Sequence, residues 1–323
     1  MCQLVEFARA IRLSHTLFAL PFALGTALLA EPPCPEWRAL VLLLACMVTA
    51  RTAAMGMNRV ADAVLDARNP RTADRAIPAG RLSRRAAIAM TLASGAAFIA
   101  AAWGFYLLRG NWWPGVLAPA FLVILFGYSW TKRFTALSHW VLGLCLGLAP
   151  VGVWIALRGE IALVPVAIGA AVMFWTAGFD ILYALQDIEV DRREGLYSMP
   201  ARRGIEAARR GALRCHVWTI TCLGFALFLG PGGPDISIRS SLSLSLFRPR
   251  LFVLHAEGPA NTVMGLASLT ALILIAILLI IQHIRARRTS PAQIALAFFP
   301  LNAAVSIIWL AGVAADVLLH VGL

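Results

Sequence analysis

Long apolar runs separated by short polar connections recur along all 323 residues of the chain. Nine of them approach the ~20 residues that an α-helix needs to cross a hydrocarbon core of ~30 Å. They fall near 13–30, 39–57, 86–107, 112–130, 140–157, 161–182, 212–230, 263–283 and 292–319. This spacing leaves no room for a separate soluble unit. It predicts an all-α fold, a polytopic bundle of about nine transmembrane helices forming a single integral membrane domain over 1–323. The pattern fails at 231–262, a stretch rich in Pro, Gly and Ser with an alternating SLSLSLF run, where no membrane helix fits. A loop of that length is uncommon in a compact domain. It is expected as an irregular low-complexity insert, with a poorly ordered or sequence-damaged stretch, an extracytoplasmic lid and a site element all left open.

Composition agrees with a bilayer. Hydrophobic residues make up 60% of the chain and charged ones 14%, with a mean hydropathy of +0.78, and a soluble fold cannot bury that much apolar surface. The net charge of +12 is not a nucleic-acid patch, because the basic residues alternate by loop instead of interleaving with aromatics. With the N-terminus inside, 21 of the 28 Lys and Arg lie in alternate connections and six in the others, with Arg51 inside a helix. This is the positive-inside pattern, with N-in and C-out for nine spans, and it places the protein in a bacterial cytoplasmic (inner) membrane. Arg9 and Arg12 precede the first apolar run as in a signal peptide, but no clear A-x-A site follows, so the run is read as a retained helix. The six cysteines form no C-x-x-C pair, and the six histidines show no ligand spacing. Arg81, Arg84, Arg85, Arg202, Arg203, Arg209 and Arg210 read as topology signals that meet lipid headgroups.

Two connections on the cytoplasmic side, 58–85 and 187–211, carry dense mixed charge, and each joins an acidic helix end to a basic, Pro- and Gly-punctuated turn. Their likeness hints at an internal duplication. In the first, Asn58, Asp62 and Asp66 recur every four residues; in the second, Tyr183, Asp187 and Asp191 do, with Asp180 nearly a turn earlier. Such spacing projects side chains from one helical face. Stacked carboxylates repel one another, and near a membrane their desolvation adds to the cost. A divalent cation compensates both. Magnesium takes hard oxygen ligands and is commonly held by one or two carboxylates together with substrate phosphates. Two acidic faces meeting across a cavity would hold two ions and, through them, a diphosphate, with Arg71, Arg75, Lys132 and Arg133 on the phosphate oxygens. Taken singly, a D-x-x-x-D is usually a solvated helix end, and Tyr183 an interfacial anchor; the pairing of two clusters on one side is the specific signal.

At these residues the chain resembles the UbiA superfamily of intramembrane prenyltransferases, whose signatures are N-x-x-x-D-x-x-x-D and Y-x-x-x-D-x-x-x-D. FARAIRLSHTLFALPFALGTALLA, NPRTADRAIPAG, GYSWTKR, GLYSMPARRG and AFFPLNAAVS are similar as well. The likeness covers roughly 1–230 and 263–320 and breaks at 231–262, where the family has a short connection. It implies a helical bundle around a central cavity open to lipid, with Asp62, Asp66, Asp187 and Asp191 carrying two Mg2+ ions and with Arg71, Arg75 and Lys132 on the diphosphate. The NPRT stretch and Tyr128 to Arg133 are most similar to 4-hydroxybenzoate polyprenyltransferases and their relatives in the futalosine route to menaquinone. The implied substrates are a polyprenyl diphosphate and an aromatic acid, in ubiquinone or menaquinone biosynthesis. By that likeness Arg133 holds the acceptor carboxylate, Asn58 and Tyr183 border the substrate, and Asp187 or Asp191 accepts a proton. Three rivals stay open: a menaquinone-route acceptor, an ion-coupled transporter or lipid-binding protein, and an inactive member damaged at 231–262.

Overall fold

The computed structural model describes residues 3–11, 18–229, 235–239, 253–257, 265–288 and 294–321. A short helix α1 (Gln3–Ala10) and α2 (Leu20–Ala30) lead into α3 (Trp37–Arg68), α4 (Arg84–Arg109), α5 (Trp113–Thr131), α6 (Ser138–Arg158) and α7 (Leu163–Tyr183). After a 3-10 turn come the short α8 (Ile188–Arg193) and α9 (Met199–Arg203), then α10 (Ile205–Leu229), α11 (Leu266–Arg288) and α12 (Ile294–Val321). Eight of these, α3 to α7 (α7 continuing through α8) and α10 to α12, are long and apolar enough to cross a membrane among the described residues. The first expected span, 13–30, is represented by the 11-residue α2, and residues 12–17 lie outside the described set. Large apolar side chains such as Leu107, Val123, Phe228 and Leu266 sit on the outside of the bundle. That is the arrangement of an integral membrane protein, whose outer surface meets hydrocarbon.

Local chemistry sets where the helices start and stop. Ser83 caps α4 by accepting the Ala86 N–H at 3.2 Å, satisfying a donor that the first turn leaves free. Gly110 and Gly159 end α4 and α6 in the left-handed conformation at φ 70°, which costs glycine nothing. The most buried helix is α7, packed between α6 and α10, with Ile168, Ala171, Val172, Trp175 and Ala177 inaccessible to solvent. Its approach to α6 depends on glycine: a Cβ on Gly147 would strike the Gly169 carbonyl, and one on Gly169 would strike that of Gly147. Small residues let membrane helices touch backbone to backbone, where packing and not hydrophobicity drives association. Around Phe22, the rings of Trp175 and Trp309 lie 5.4 and 6.1 Å away and tie α2 to α7 and α12.

In the 231–262 region the structure adds what the sequence did not indicate. Strands β2 (Asp235–Arg239) and β3 (Val253–Glu257) pair antiparallel, and β2 also pairs with β1 (Glu160–Ala162) in the register Glu160 to Arg239. This small sheet lies beyond the C-terminal end of α6, at the opposite end of the bundle from the acidic motifs. It is therefore not an element of that site. The rest of 231–262 falls outside the described residues. Where the chain resumes, Asp316 of α12 accepts the N–H groups of Gly265, Ala267 and Ser268 at 2.7, 3.0 and 2.7 Å. The carboxylate caps α11 from a neighbouring helix and is stabilised by that helix's N-terminal dipole.

Candidate active site

Helix α3 runs on for three turns past the apolar run at 39–57, so Asn58, Asp62 and Asp66 stand on one helical face. Asp62 Oδ2 accepts from Asn58 Nδ2 at 3.2 Å and from Lys132 Nζ at 2.7 Å. Its Oδ1 is buried with no hydrogen-bond partner. Asp66 receives Arg75 Nη1 on both oxygens, at 2.7 and 2.8 Å. The second motif is not the continuous face expected from its spacing. After Tyr183 the helix tightens to a 3-10 turn over Ala184–Asp187, and Asp187 adopts φ −108°, ψ 8° before α8 begins, a bridge conformation often found at active sites. This break turns Asp187 toward the loop after α3, where Arg71 grips it with Nε and Nη2 at 2.9 and 2.6 Å and Asn69 Nδ2 donates at 3.0 Å. Arg68 reaches Glu194 at 2.9 Å, and Arg193 donates to the Arg68 carbonyl at 2.8 Å. The two acidic helix ends are thus joined side by side.

Together they border a cavity of about 1040 Å³. Asn58, Arg59, Arg71, Arg75, Lys132, Asp187 and Asp191 line its polar mouth, and Phe98, Phe105, Phe121, Leu125 and Val153 line its interior. Tyr183 lines it too, its ring edge-on to Phe179 at 6.1 Å. Asp62 and Asp66 are buried behind Lys132 and Arg75. Among the described residues no three carboxylate, His or Cys side chains gather into a metal-ligand cluster. The carboxylates are drawn instead to cations. Charge-assisted pairs of this geometry are strong, and a desolvated mouth strengthens them.

Two residues differ from expectation. Arg133 is exposed, lies outside the cavity lining, and donates to the Ala61 carbonyl at 2.5 Å. Arg51, which sequence reading set aside as the one basic residue inside a helix, lines the cavity with its buried Nε unpartnered. It stands two helical turns before Asn58 on α3, about 10 Å deeper. An ionisable group in a membrane span, facing a cavity, is itself a functional signal. The histidines also carry more than their spacing showed: His139 meets Asp180 at 2.7 Å, and His216 meets His283 at 2.9 Å.

The fold and the site define an integral membrane helical bundle with a charged mouth over an apolar cavity. The chain belongs to the UbiA prenyltransferase family, whose model matches residues 19–247. Over 198 residues it is 30% identical to a 4-hydroxybenzoate octaprenyltransferase of Photobacterium profundum, covering 61% of this chain and 66% of that protein. Over 225 residues it is 32% identical to a protoheme IX farnesyltransferase of Korarchaeum cryptofilum, covering 68% and 71%. The chain thus spans about two thirds of the length of the curated relatives it matches. The apo structure of a UbiA homologue from Aeropyrum pernix K1 superposes over 96% of this chain and 99% of that one, at a TM-score of 0.74 and 29% identity. A UbiA homologue from Archaeoglobus fulgidus bound to GPP and Mg2+ shares the fold, at a TM-score of 0.65 and 19% identity.

Proposed function

We propose that this protein transfers a polyprenyl group from a polyprenyl diphosphate to the ring of an aromatic acid such as 4-hydroxybenzoate, in the making of ubiquinone or a related quinone. The observation that carries the reading is the junction of Arg71, Arg75 and Lys132 with two acidic helix ends over an apolar cavity of about 1040 Å³. One end of such a site suits a diphosphate and the other a hydrocarbon tail. The proposed location is a bacterial inner membrane, with the site on its cytoplasmic side, a sidedness that the distribution of arginines supports.

Asp62, Asp66, Asp187 and Asp191 would hold Mg2+, and the buried, unpartnered Oδ1 of Asp62 fits that assignment. Bound there, the metal supplies positive charge that makes diphosphate a better leaving group. Arg71, Arg75 and Lys132, which neutralise the carboxylates in the structure, are then free to bind phosphate oxygens. The allylic C–O bond breaks with its electron pair leaving on the diphosphate, and the apolar walls keep water from the electrophilic carbon. Arg51 takes the acceptor carboxylate in place of Arg133, because it lies in the cavity with an unpartnered donor.

Membranes containing the protein, given 4-hydroxybenzoate, a polyprenyl diphosphate and Mg2+, should yield prenylated 4-hydroxybenzoate and diphosphate together. Turnover of a different aromatic acceptor alone would move the reading to the menaquinone route. Absence of diphosphate release with every acceptor would leave the ion-coupled transporter.

A further inference from the structure

One acid–imidazole pair in the cavity wall is not among the residues proposed above to hold Mg2+ or the diphosphate. His139, in the first turn of α6, points Nδ1 at Asp180 Oδ2 of α7, 2.7 Å away, while its Nε2 faces the backbone N–H of Met199 at 3.2 Å. An amide N–H only donates, so Nε2 is an acceptor; the ring proton is then on Nδ1 and is donated to Asp180. The imidazole is 4% exposed at its side chain and so fixed in orientation, whereas Asp180 keeps 32% of its side-chain surface open, and both line the cavity.

The other carboxylates at the mouth, Asp62, Asp66, Asp187 and Asp191, are the ones proposed above to hold Mg2+, and a carboxylate oxygen given to a metal is not open to a proton. Asp180 has instead an imidazole that orients it through one hydrogen bond.

We propose that Asp180 is the general base of the transfer and His139 its positioning residue. This rests on the aromatic prenyl transfer proposed above. The allylic C–O bond breaks first, its electron pair leaving with diphosphate; Asp180 then removes the acceptor's hydroxyl proton as the ring carbon beside it forms the new C–C bond to the allylic cation. The resulting dienone loses its ring proton to the departing diphosphate, and Asp180 returns the first proton to the oxygen. Atoms and charge balance with no further reactant.

The test uses the full-length protein with 4-hydroxybenzoate, geranyl diphosphate and Mg2+, measuring diphosphate and prenylated product in the same reaction. A general base contributes about 10²–10⁴ in rate. Asp180→Asn should therefore lower product at least ~100-fold while diphosphate release falls far less, with geraniol making up the difference. His139→Leu should lower kcat for product in the same way with little change in KM for geranyl diphosphate. His139→Gln, whose amide can donate to Asp180 and accept from Met199, should restore kcat to within about tenfold of the wild type. Near-normal product from Asp180→Asn overturns the proposal. So does a parallel loss of product and diphosphate release in a folded Asp180→Asn, or failure of glutamine to rescue. A wild-type protein that releases no diphosphate overturns the transfer reading itself, and the base with it.

Discussion

Arg51 shows how a single residue changes the reading of the site. A charge within an apolar helix is expensive unless a cavity or a partner receives it, and Arg51 faces the cavity with Nε unpaired. Losing a hydrogen bond to a charged group costs about 1.5–3 kcal/mol, so Arg51→Gln should raise KM for the aromatic acid about 10- to 100-fold while leaving KM for the prenyl diphosphate unchanged. Steady-state kinetics in each substrate checks this. The signal was present in the sequence, because an arginine seven residues before Asn58 shares its helical face. Arg133, next to Lys132 in sequence, lies past the end of α5, outside the cavity lining, and donates to the Ala61 carbonyl. The contact between His139 and Asp180 bridges 41 residues, and no spacing rule finds it. Outside the membrane spans, the hydrogen bond from Arg68, followed by the charges of Arg68 and Arg193, holds the Glu194 carboxyl below its ordinary value. A depressed folded value means this bridge stabilises the fold above the unfolded carboxyl pKa of about 4.3 and is lost as pH falls through the folded one. Protection of the 187–194 amides, corrected for the intrinsic exchange rate at each pH, should fall as pH drops through the folded value of Glu194, and Glu194→Gln should weaken that acid dependence.

Among the elements, the helices were legible because apolar runs of membrane length have few alternative folds. The extension of α3 to Arg68 was legible too, through the four-residue spacing of its acids. The 3-10 break after Tyr183 was not, since the same spacing fits a straight helix and only the grip of Arg71 and Asn69 on Asp187 reveals the turn. The pairing of β2 was hidden because one of its partners, Glu160–Ala162, lies more than 70 residues away, the other being β3 within the same segment. Two substitutions test how the elements are held. Gly147→Val would drive a side chain into the Gly169 carbonyl, and overpacking of this kind costs about 1–3 kcal/mol. The variant should melt at lower temperature in detergent. Asp316→Ala would leave the three N–H groups at the start of α11 without their carboxylate, a loss of about 1.5–3 kcal/mol. Its thermal transition should fall while the remaining folded protein keeps its KM for prenyl diphosphate.

Over the whole molecule, two stretches more than 100 residues apart meet at one mouth. The bridges Arg71 to Asp187, Asn69 to Asp187 and Arg68 to Glu194 close the gap between them, and the cavity beneath has room for a hydrocarbon chain. The identity of the acceptor was not legible, because the arginine proposed to hold it and an apolar wall would fit many small aromatic anions. The central claim is that both acidic ends act as one unit on one diphosphate. Its most direct test is diphosphate release by Asp66→Asn, Asp187→Asn and the double variant, each shown to be folded. Groups that act together lose most of their effect with the first removal. Each single variant should fall about 100-fold or more, with the double variant falling little further. Near-wild-type release from either single variant, or losses that multiply in the double variant, would contradict the claim.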